Sequence, residues 1–366
     1  MILHSSRFES NSTGHGGNRR TAQIKELISQ AGLESDDVKE VPTNRSDRYF
    51  AGLYSLSKYK LKFYPSHRVL SSCGRQYKTY RESLRQHNGI KLILWEDTNN
   101  YTLPYIAKQA GFNVLALPQN LESMVSGQRD SFTYQFLPGS FENEVKHLAK
   151  ADSVFCISRE EQWLLRLRGL EADYLPYYPP QPILLNLLEL RRQREQSVPH
   201  RFLILGTAHN PPTRIGMIEQ IQWLKKIGQS FRFVVDIAGY GTETLKEYCD
   251  DARFVLHGSV DIDKLNHLLS DAKAILVHQT AGVGALTRIP EMLIAGIPVI
   301  ANANACRSAF SYSGVYCYDN SQELAGLMSA TLDIPTVLER PTGAERHFID
   351  YLKRLGEDSE NRSSGL

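Results

Sequence analysis

The sequence predicts an α/β protein made of two Rossmann-like parallel-sheet domains, and three observations support this fold class. Short apolar runs alternate along the chain with segments of helical periodicity, which is typical of parallel βαβ units. With 366 residues, the chain is long for one hydrophobic core and comfortable for two. The segment Tyr174–Pro182 contains four prolines in nine residues and is the best candidate for a domain boundary.

These signals give the expected domain organisation. We expect a first domain over residues 1–178, a linker over 179–200 and a second domain over 201–335. A helix within 336–356 is expected to pack back on the first domain. The polar stretch 357–366 is expected to form a tail.

The first half opens with a strand candidate, Ile2–His4, and a polar loop that ends at Gly14-His15-Gly16-Gly17. A helix is expected to start near Asn18, so Arg19 and Arg20 lie in its first turn. Cations are unfavourable there because the helix dipole is positive at this end. The two arginines therefore either point to solvent or meet an anion such as phosphate.

A continuous apolar run over Ile90–Trp95 predicts a buried strand that places Glu96 and Asp97 at its carboxyl end. Open α/β sheets bind ligands at that end of their strands. Asp97 is therefore a candidate site residue. The alternative is that both carboxylates are ordinary polar residues of a loop.

The region 58–85 is rich in basic and aromatic residues. Such a composition suits contact with anionic lipid or with an acidic acceptor. The alternative is a solvated helix face whose tyrosines pack inward.

In the second half, the stretch Gly282–Asn302 is the most informative. An apolar strand, Ala274–Val277, leads into a loop with Gly282 and Gly284, where main-chain N–H groups can approach an anion closely. An earlier strand-to-helix loop carries His209 and Arg214, and an arginine beside a phosphate site is a candidate ligand.

A helix is expected to start at Thr287 or Arg288, because Pro290 fits the first turn, where its missing N–H costs nothing. Glu291 then lies about one turn after the start of this helix. A cation and a carboxylate at such a position suit a ligand with both a phosphate and hydroxyls. The alternative is an ordinary βαβ turn with a surface ion pair.

Composition excludes several function classes. The formal net charge of +2 gives no case for nucleic acid as a partner. Five scattered cysteines without CxxC spacing predict reduced thiols rather than a disulfide or zinc framework. No apolar run reaches the roughly 20 residues of a membrane span, so we expect a cytoplasmic protein, with peripheral contact at the inner membrane face still open.

In the order of its motifs, the chain resembles the two-domain nucleotide-sugar glycosyltransferases of the GT-B fold, in particular the large retaining group called family 4. The segments that carry this resemblance are Gly16-Gly17 with Arg20, Asn120–Glu122, Ala151–Ser158, Gly206, Gly239–Gly241, His257–Val260 and Gly284–Ala301.

The resemblance implies two domains that face each other across a cleft. It implies a nucleotide diphosphate sugar held mainly by the second domain and an acceptor (a glycan, lipid or protein) held mainly by the first. Glu291 corresponds to a carboxylate that contacts the ribose, and Thr287 and Arg288 lie near the diphosphate. The expected donor-binding set is Gly16, Gly17, Arg20, His209, Arg214, Gly284, Thr287, Arg288 and Glu291.

Two positions depart from the family pattern. A second glutamate is usual eight positions before Glu291, where this chain has Val283, and a histidine is common where this chain has Gln119. The first change removes a contact to the sugar and the second removes a familiar active-site group. A glycosyltransferase-like binding or partner subunit without catalytic activity is therefore an alternative.

Sugar transfer requires stabilisation of the departing diphosphate, for which Arg288, Arg214 and Arg20 are the candidates. We expect neither a metal nor a cofactor, and a retaining, front-face reaction without a strong protein base. If the reaction inverts, Asp97, Glu96 or His15 is the candidate base. A nucleotide-sugar epimerase or hydrolase on the same scaffold is a third possibility.

Overall fold

The structure is a computed structural model that describes residues 1–10, 14–61, 66–125, 139–194, 199–227 and 232–364. It confirms the predicted class, with two six-stranded parallel sheets flanked by helices. The chain divides into two compact units. The first comprises Met1–Asn11, Arg20–Pro176 and Pro341–Leu366, and the second comprises Ser12–Arg19 and Tyr177–Arg340.

The sheet of the first unit has the strand order β2-β1-β3-β4-β5-β6. Its strands are β1 (Ile2–Ser5), β2 (Ser35–Asp37), β3 (Leu92–Trp95), β4 (Asn113–Ala116), β5 (Ser153–Cys156) and β6 (Asp173–Tyr174). Its helices are α1 (Gly16–Gln30, whose first turn belongs to the second unit), α2 (Arg45–Lys58), α3 (His67–Gln86), α4 (Leu103–Gln109), α5 (Gly139–Leu148), α6 (Arg159–Leu167) and α13 (Thr342–Ser364).

Local chemistry explains several of these elements. All four residues of β3 are fully buried, which is why this strand reads as a continuous apolar run instead of an alternating one. Ser158 caps α6, since its hydroxyl oxygen accepts a hydrogen bond of 3.0 Å from the Glu161 N–H. The helix α13 buries Phe348 and Leu352 in the core of the first unit.

The helix α13 continues to Ser364, so the stretch predicted as a tail is helical as far as the structure describes it. The sequence of this stretch is polar and gives no periodic signal. Once a helix is nucleated by its buried turns, however, each further residue adds one hydrogen bond, and a polar extension can follow.

The sheet of the second unit has the order β12-β11-β10-β7-β8-β9. Its strands are β7 (Arg201–Leu205), β8 (Val235–Ala238), β9 (Phe254–Gly258), β10 (Ala272–Val277), β11 (Val299–Asn302) and β12 (Val315–Tyr318). Its helices are α7 (Gln181–Arg194), α8 (Pro211–Ile227), α9 (Ile262–Asp271), α10 (Arg288–Ile294), α11 (Ala303–Cys306) and α12 (Ser321–Ser329).

The span predicted as a linker, 179–200, is largely helical, because α7 occupies most of it. Residues 195–198 lie outside the described part. Ile183, Leu187 and Leu190 bury one stripe of α7 in the core of the second unit. The prolines that suggest a linker stand before α7 and in its first turn, where the helix tolerates them.

Both faces of the second sheet are covered. Leu203, Ile275 and Val277 point into one core with α7 and α10, whereas Ile204 and Leu276 point into the other with α8 and α12. This alternation follows from the period of two along a strand. The carboxyl ends of β7, β10 and β11 are thereby fixed at one edge of a rigid sheet.

All five cysteines are free, and three of them are buried. None of the helices in the described residues has the length and apolar character needed to cross a membrane.

A close contact between α8 and the end of β10 gives a stability prediction. A side chain on Gly216 would overlap the carbonyl oxygen of His278, whereas nothing lies within 4 Å of a side chain added at Gly326 in α12. We therefore expect Gly216→Ala to destabilise the second unit by about 2 kcal/mol or more, through overpacking.

Gly326→Ala serves as the matched control and should leave the stability unchanged or raise it by about 0.5 kcal/mol, because alanine favours a helix. Thermal unfolding followed by circular dichroism checks both variants. Equal melting temperatures for the two would contradict the contact.

Candidate functional site

The first unit contains a cavity of about 30 Å³ next to the carboxyl ends of β1, β3 and β4. It is the position expected for a ligand of a parallel sheet. Seven of the eight residues that line it are polar or charged; the lining consists of Arg7, Phe8, Glu96, Asp97, Thr98, Asn99, Gln119 and Glu122.

Glu96 is the most buried carboxylate of this lining and is held from several sides. The His4 Nε2 atom lies 2.9 Å from Oε2, the Thr21 hydroxyl donates to Oε1 at 2.7 Å, and the Gln119 amide also donates to Oε1. Burial alone would raise the pKa of Glu96, but the interactions with His4, Thr21 and Gln119 outweigh it and leave that pKa below its usual value. Glu96 is therefore an ionised, fixed group in the cavity wall.

Asp97 differs from its neighbour, because its side-chain carboxylate accepts no hydrogen bond from any residue that the structure describes. Burial raises the pKa of Asp97, the nearby Arg7 opposes that rise, and Glu96 adds to it. A carboxylate that lines a cavity with open acceptor sites can bind a hydroxyl group. The structure thus places the predicted Asp97 in the wall of a cavity whose other residues are mostly polar.

In the second unit, the predicted Glu291 lies in α10 and is 1% exposed. Its carboxylate accepts hydrogen bonds from Arg19 and from the Tyr177 hydroxyl, the latter at 2.6 Å. Burial raises the pKa of Glu291, whereas Arg19 and Tyr177 act against the rise. These contacts exclude an ordinary surface ion pair, since the carboxylate is buried.

The first turn of α1 lies against the start of α10. A Cβ atom on Gly16 would be 2.5 Å from the Thr287 hydroxyl oxygen, and Arg19 reaches Glu291 one turn further along both helices. The structure therefore brings together four residues of the predicted set, namely Gly16 and its neighbour Gly17 with Thr287 and Glu291.

Arg288 and Arg307 form a cationic pair at the carboxyl edge of the second sheet. Arg288 donates to the carbonyl of Leu205 at the end of β7, and Arg307 Nε donates to the carbonyl of Gly284 at 2.6 Å. Burial and the nearby Arg307 lower the pKa of Arg288 to about 10. Arg288 forms no ion pair with a carboxylate among the described residues, so its charge is available to an anion.

Asn302 connects the loops that carry these arginines. Its side-chain oxygen accepts hydrogen bonds from the N–H groups of Gln279 at 3.0 Å and Ala305 at 3.2 Å. Its side-chain nitrogen donates to the Gln279 carbonyl at 2.8 Å. Asn302 thus caps α11, which precedes Arg307, and fixes the loop that follows β10.

The other predicted residues of the second unit lie on neighbouring loops. His209 is exposed after β7, with its ring centroid 4.5 Å from that of Tyr240. Arg214 lies in the first turn of α8 and donates to the Thr244 hydroxyl at 2.8 Å. His15 is exposed before α1, where its Nδ1 atom accepts a hydrogen bond from the Gly17 N–H at 3.2 Å.

Arg20 has a structural environment in the first unit. It is 2% exposed and donates to the carbonyl of Leu175 at 2.8 Å, to that of Pro176 at 3.2 Å and to the side chain of Gln23. These bonds occupy the guanidinium that the sequence offers as a phosphate ligand. Its neighbour Arg19 points to Glu291 instead.

Sequence reasoning missed three residues of the second unit, namely Arg19 as the partner of Glu291, Tyr177 and Arg307. Arg307 could have been found, because it follows a strand of the same sheet that carries the Gly282–Asn302 stretch. Tyr177 is hidden in the proline-rich segment. The sequence does not distinguish Glu96 from Asp97. Only the hydrogen bonds of Glu96 to His4, Thr21 and Gln119 in the structure do so.

No protein-family model matches the chain, and a search of curated proteins finds no relative. Solved structures do match. Sucrose-phosphate synthase from Thermosynechococcus elongatus has a TM-score of 0.59 at 15% identity, over 100% of this chain and 94% of that one. HepE from Anabaena, in complex with UDP and glucose, has a TM-score of 0.55 at 13% identity, over 100% and 99%.

The UDP-GlcNAc 2-epimerase from Methanocaldococcus jannaschii, in complex with UDP-GlcNAc and UDP, is also similar. Its TM-score is 0.54 at 13% identity, over 96% of this chain and 99% of that one. Together with the two parallel sheets, these matches confirm the GT-B fold for nearly the whole chain. At such low identity, the likeness establishes the fold alone.

The network around Glu96 gives a pH prediction. A carboxylate with a lowered pKa in the folded state adds stability that is present above its unfolded pKa of about 4.3 and is lost as the pH falls through the folded pKa. We expect Glu96→Gln to cost about 3 kcal/mol at pH 7, because His4 loses its charged partner.

The difference in melting temperature between the wild type and Glu96→Gln should shrink as the pH falls below about 4.3. Glu171→Gln is the control, because the Glu171 side chain is 94% exposed. A difference that stays constant as the pH falls from 7 to about 2, well below the unfolded pKa, would show that Glu96 does not stabilise the fold as an anion.

Proposed function

We propose that the protein is a glycosyltransferase that moves a sugar from a nucleotide diphosphate sugar to a hydroxyl-bearing acceptor. The observation that carries this proposal is Arg288, a cation without a carboxylate partner among the described residues, beside Arg307 at the carboxyl edge of the second sheet. Two guanidinium groups whose charges influence each other favour a ligand with at least two negative charges. The GT-B fold of the whole chain supports the same class of ligand.

In this proposal, the second unit binds the donor. The diphosphate lies on Arg288 and Arg307, near the glycine-containing loop that ends at Thr287. The ribose hydroxyls donate to Glu291. A carboxylate has about four acceptor positions, so Arg19 and Tyr177 leave room for two more donors.

The chemistry follows from the charge. As the bond from the anomeric carbon to the diphosphate breaks, negative charge builds up on the leaving oxygen, and the two arginines stabilise it. They can supply the stabilisation that a divalent metal provides in other enzymes. We propose retention at the anomeric carbon, in keeping with the resemblance of the motifs, with the acceptor proton passing to the leaving phosphate.

The cavity of the first unit is proposed to bind the acceptor. Asp97 accepts a hydrogen bond from the reactive hydroxyl and orients it. The carboxylates Glu96, Asp97 and Glu122 suit a neutral polyhydroxyl group and oppose a phosphorylated one. The acceptor is therefore proposed to present an uncharged sugar, whether free, lipid-linked or protein-linked.

The proposal is tested by two measurements on the purified full-length chain. A thermal-shift screen with UDP, GDP, dTDP and CMP compounds identifies the nucleotide, because a ligand that binds only the folded state raises the melting temperature. A screen of nucleotide sugars against glycan acceptors then detects transfer. The proposal fails if no nucleotide sugar binds and no nucleotide diphosphate is released.

Arg288→Gln should weaken binding of the nucleoside diphosphate about 30-fold, because a charge-assisted contact to phosphate is worth about 2 kcal/mol. Binding of the nucleoside without phosphate should be unchanged. Isothermal titration calorimetry with both ligands measures the two effects separately.

Arg192→Gln is the matched control, since Arg192 lies on α7 of the same unit and its side chain is 75% exposed. It should bind both ligands like the wild type. Equal weakening of diphosphate and nucleoside by Arg288→Gln would mean that Arg288 acts through the fold and not through the phosphates.

Asp97→Asn should lower kcat/KM for the acceptor about 100-fold, as expected when a group that orients the nucleophile is lost. The affinity for the donor should stay the same, because Asp97 lies in the acceptor cavity. Steady-state kinetics with the acceptor varied, together with donor titration, checks both expectations.

The control for Asp97→Asn is Asp350→Asn, an exposed carboxylate on α13 of the same unit. It should retain the full kcat/KM. A wild-type rate for Asp97→Asn would remove Asp97 from the acceptor site.

A nucleotide-sugar epimerase is the second candidate, favoured by the likeness to UDP-GlcNAc 2-epimerase. Product analysis without an acceptor separates the two, because an epimerase changes the sugar while it stays attached to the nucleotide or releases it as an epimer. A binding subunit without activity, suggested by Val283 and Gln119, would bind the donor and give no product in either assay.

A further inference from the structure

The helix α2 in the first unit has an apolar face that the described part of the chain leaves largely exposed. Phe50 is 69% exposed and Tyr54 52% exposed, and Leu53 lies between them. The spacing of i, i+3 and i+4 places the three side chains on one face of the helix. Water-exposed aromatic and aliphatic side chains in such a row mark a site of interaction.

The orientation of this face is fixed by the packing of the opposite face. Gly52, Ser55 and Leu56 are buried where α2 meets α3. A side chain on Gly52 would overlap the carbonyl of Leu70, so the two helices are in close contact. The helix α2 cannot turn its apolar row inward without breaking that contact.

The hairpin of α2 and α3 is strongly basic. Residues 45–86 contain ten arginines and lysines but only two acidic residues, Asp47 and Glu82. Both acids form ion pairs within the hairpin, with Lys78 at 2.7 Å and Arg85 at 2.8 Å. The remaining positive charge is therefore not neutralised inside the hairpin.

Some of this charge lies beside the apolar row. The Lys58 Nζ atom lies 5.5 Å from the ring centre of Tyr54 and 5.4 Å from that of Tyr59. Arg81 of α3 is exposed and close enough to Tyr59 to oppose the rise in the pKa of its hydroxyl that burial causes. Lys58 and Arg81 therefore lie close to aromatic rings at the C-terminal end of the row.

The structure places the exposed apolar side chains of this hairpin at other positions than the sequence suggests. The sequence-based prediction assigns membrane contact to residues 58–85, of which 62–65 lie outside the described part. Tyr77 and Tyr80 of α3 are 6% and 3% exposed, so the tyrosines of α3 pack inward, as the alternative interpretation holds. The exposed apolar row lies one helix earlier, on α2.

We propose that the apolar face of α2, formed by Phe50, Leu53 and Tyr54, docks on an anionic lipid membrane. The apolar side chains enter the boundary of headgroups and acyl chains, and the basic residues of the hairpin contact lipid phosphates. A second copy of the chain is a poorer occupant, because a symmetric contact would place two basic hairpins against each other. The proposal does not depend on the sugar-transfer function.

Vesicle flotation with the full-length chain tests the proposal. One set of vesicles contains phosphatidylcholine alone, and the other contains phosphatidylcholine with phosphatidylglycerol. Binding is expected only to the anionic vesicles and should fall with rising salt, since each basic residue near the surface contributes electrostatic attraction that ions screen. Equal binding to both sets, or to neither, overturns the proposal.

Two variants locate the contact. Phe50→Ser with Leu53→Ser should reduce the partition coefficient on anionic vesicles by about 30-fold or more, because two apolar side chains no longer enter the membrane. Lys58→Glu with Lys60→Glu should reduce it by about tenfold or more. Circular dichroism confirms that each variant is folded, and a variant that fails this check is replaced by Phe50→Ser alone.

The controls lie on α6 and at the end of α5, in the same unit. Trp163→Ser with Leu167→Ser removes side chains that are 67% and 76% exposed, and Lys150→Glu reverses a charge outside the hairpin. Both should bind vesicles like the wild type. If they lose binding as much as the α2 variants do, or if the α2 variants instead dissociate a dimer in sedimentation velocity, the α2 face is not a membrane contact.

Discussion

The buried carboxylate of Glu291 is the constraint on which the second site depends. A carboxylate that is removed from water must be paired or lose its charge, and breaking such a pair costs about 3 to 5 kcal/mol. Arg19 and Tyr177 provide the partners, and both come from chain segments far from α10 in sequence. The ion pair between Arg19 and Glu291 therefore holds the first turn of α1, with Gly16, near Thr287.

The two sites have opposite electrostatic character, which the overall composition conceals. The second unit holds two arginines at its sheet edge, whereas three carboxylates line the cavity of the first unit. Over the whole chain, 42 basic and 40 acidic residues leave a formal net charge of only +2. Net charge describes solubility and non-specific attraction, and local charge decides which ligand each site can accept.

The sequence predicts the fold class well because buried parallel strands leave a strong local signal. The runs Ile90–Trp95 and Ala274–Val277 are continuous and apolar, and both coincide with central strands. The start of α10 is also predicted correctly, since Pro290 restricts where the helix can begin. The continuation of α13 to Ser364 was not predicted, because helix propagation leaves no periodic pattern in polar residues.

The site is only partly readable from the sequence. Glu291 and Arg288 stand out because they follow a strand and a glycine-rich loop. The choice between Arg19 and Arg20 depends on which way each guanidinium points at adjacent positions of one helix, about 100° apart, and no local pattern encodes this. The apolar row on α2 was missed for a similar reason, because α2 and α3 are both amphipathic and only their packing shows which face remains exposed.

Asn302 couples the motions of two loops in the second unit. Its one side chain binds Gln279 after β10 and caps the helix that leads to Arg307. Since three hydrogen bonds share this amide, neither loop can open without releasing the other. The two loops should therefore behave as a single cooperative unit of local unfolding, so that the arginines beside them are presented together or not at all.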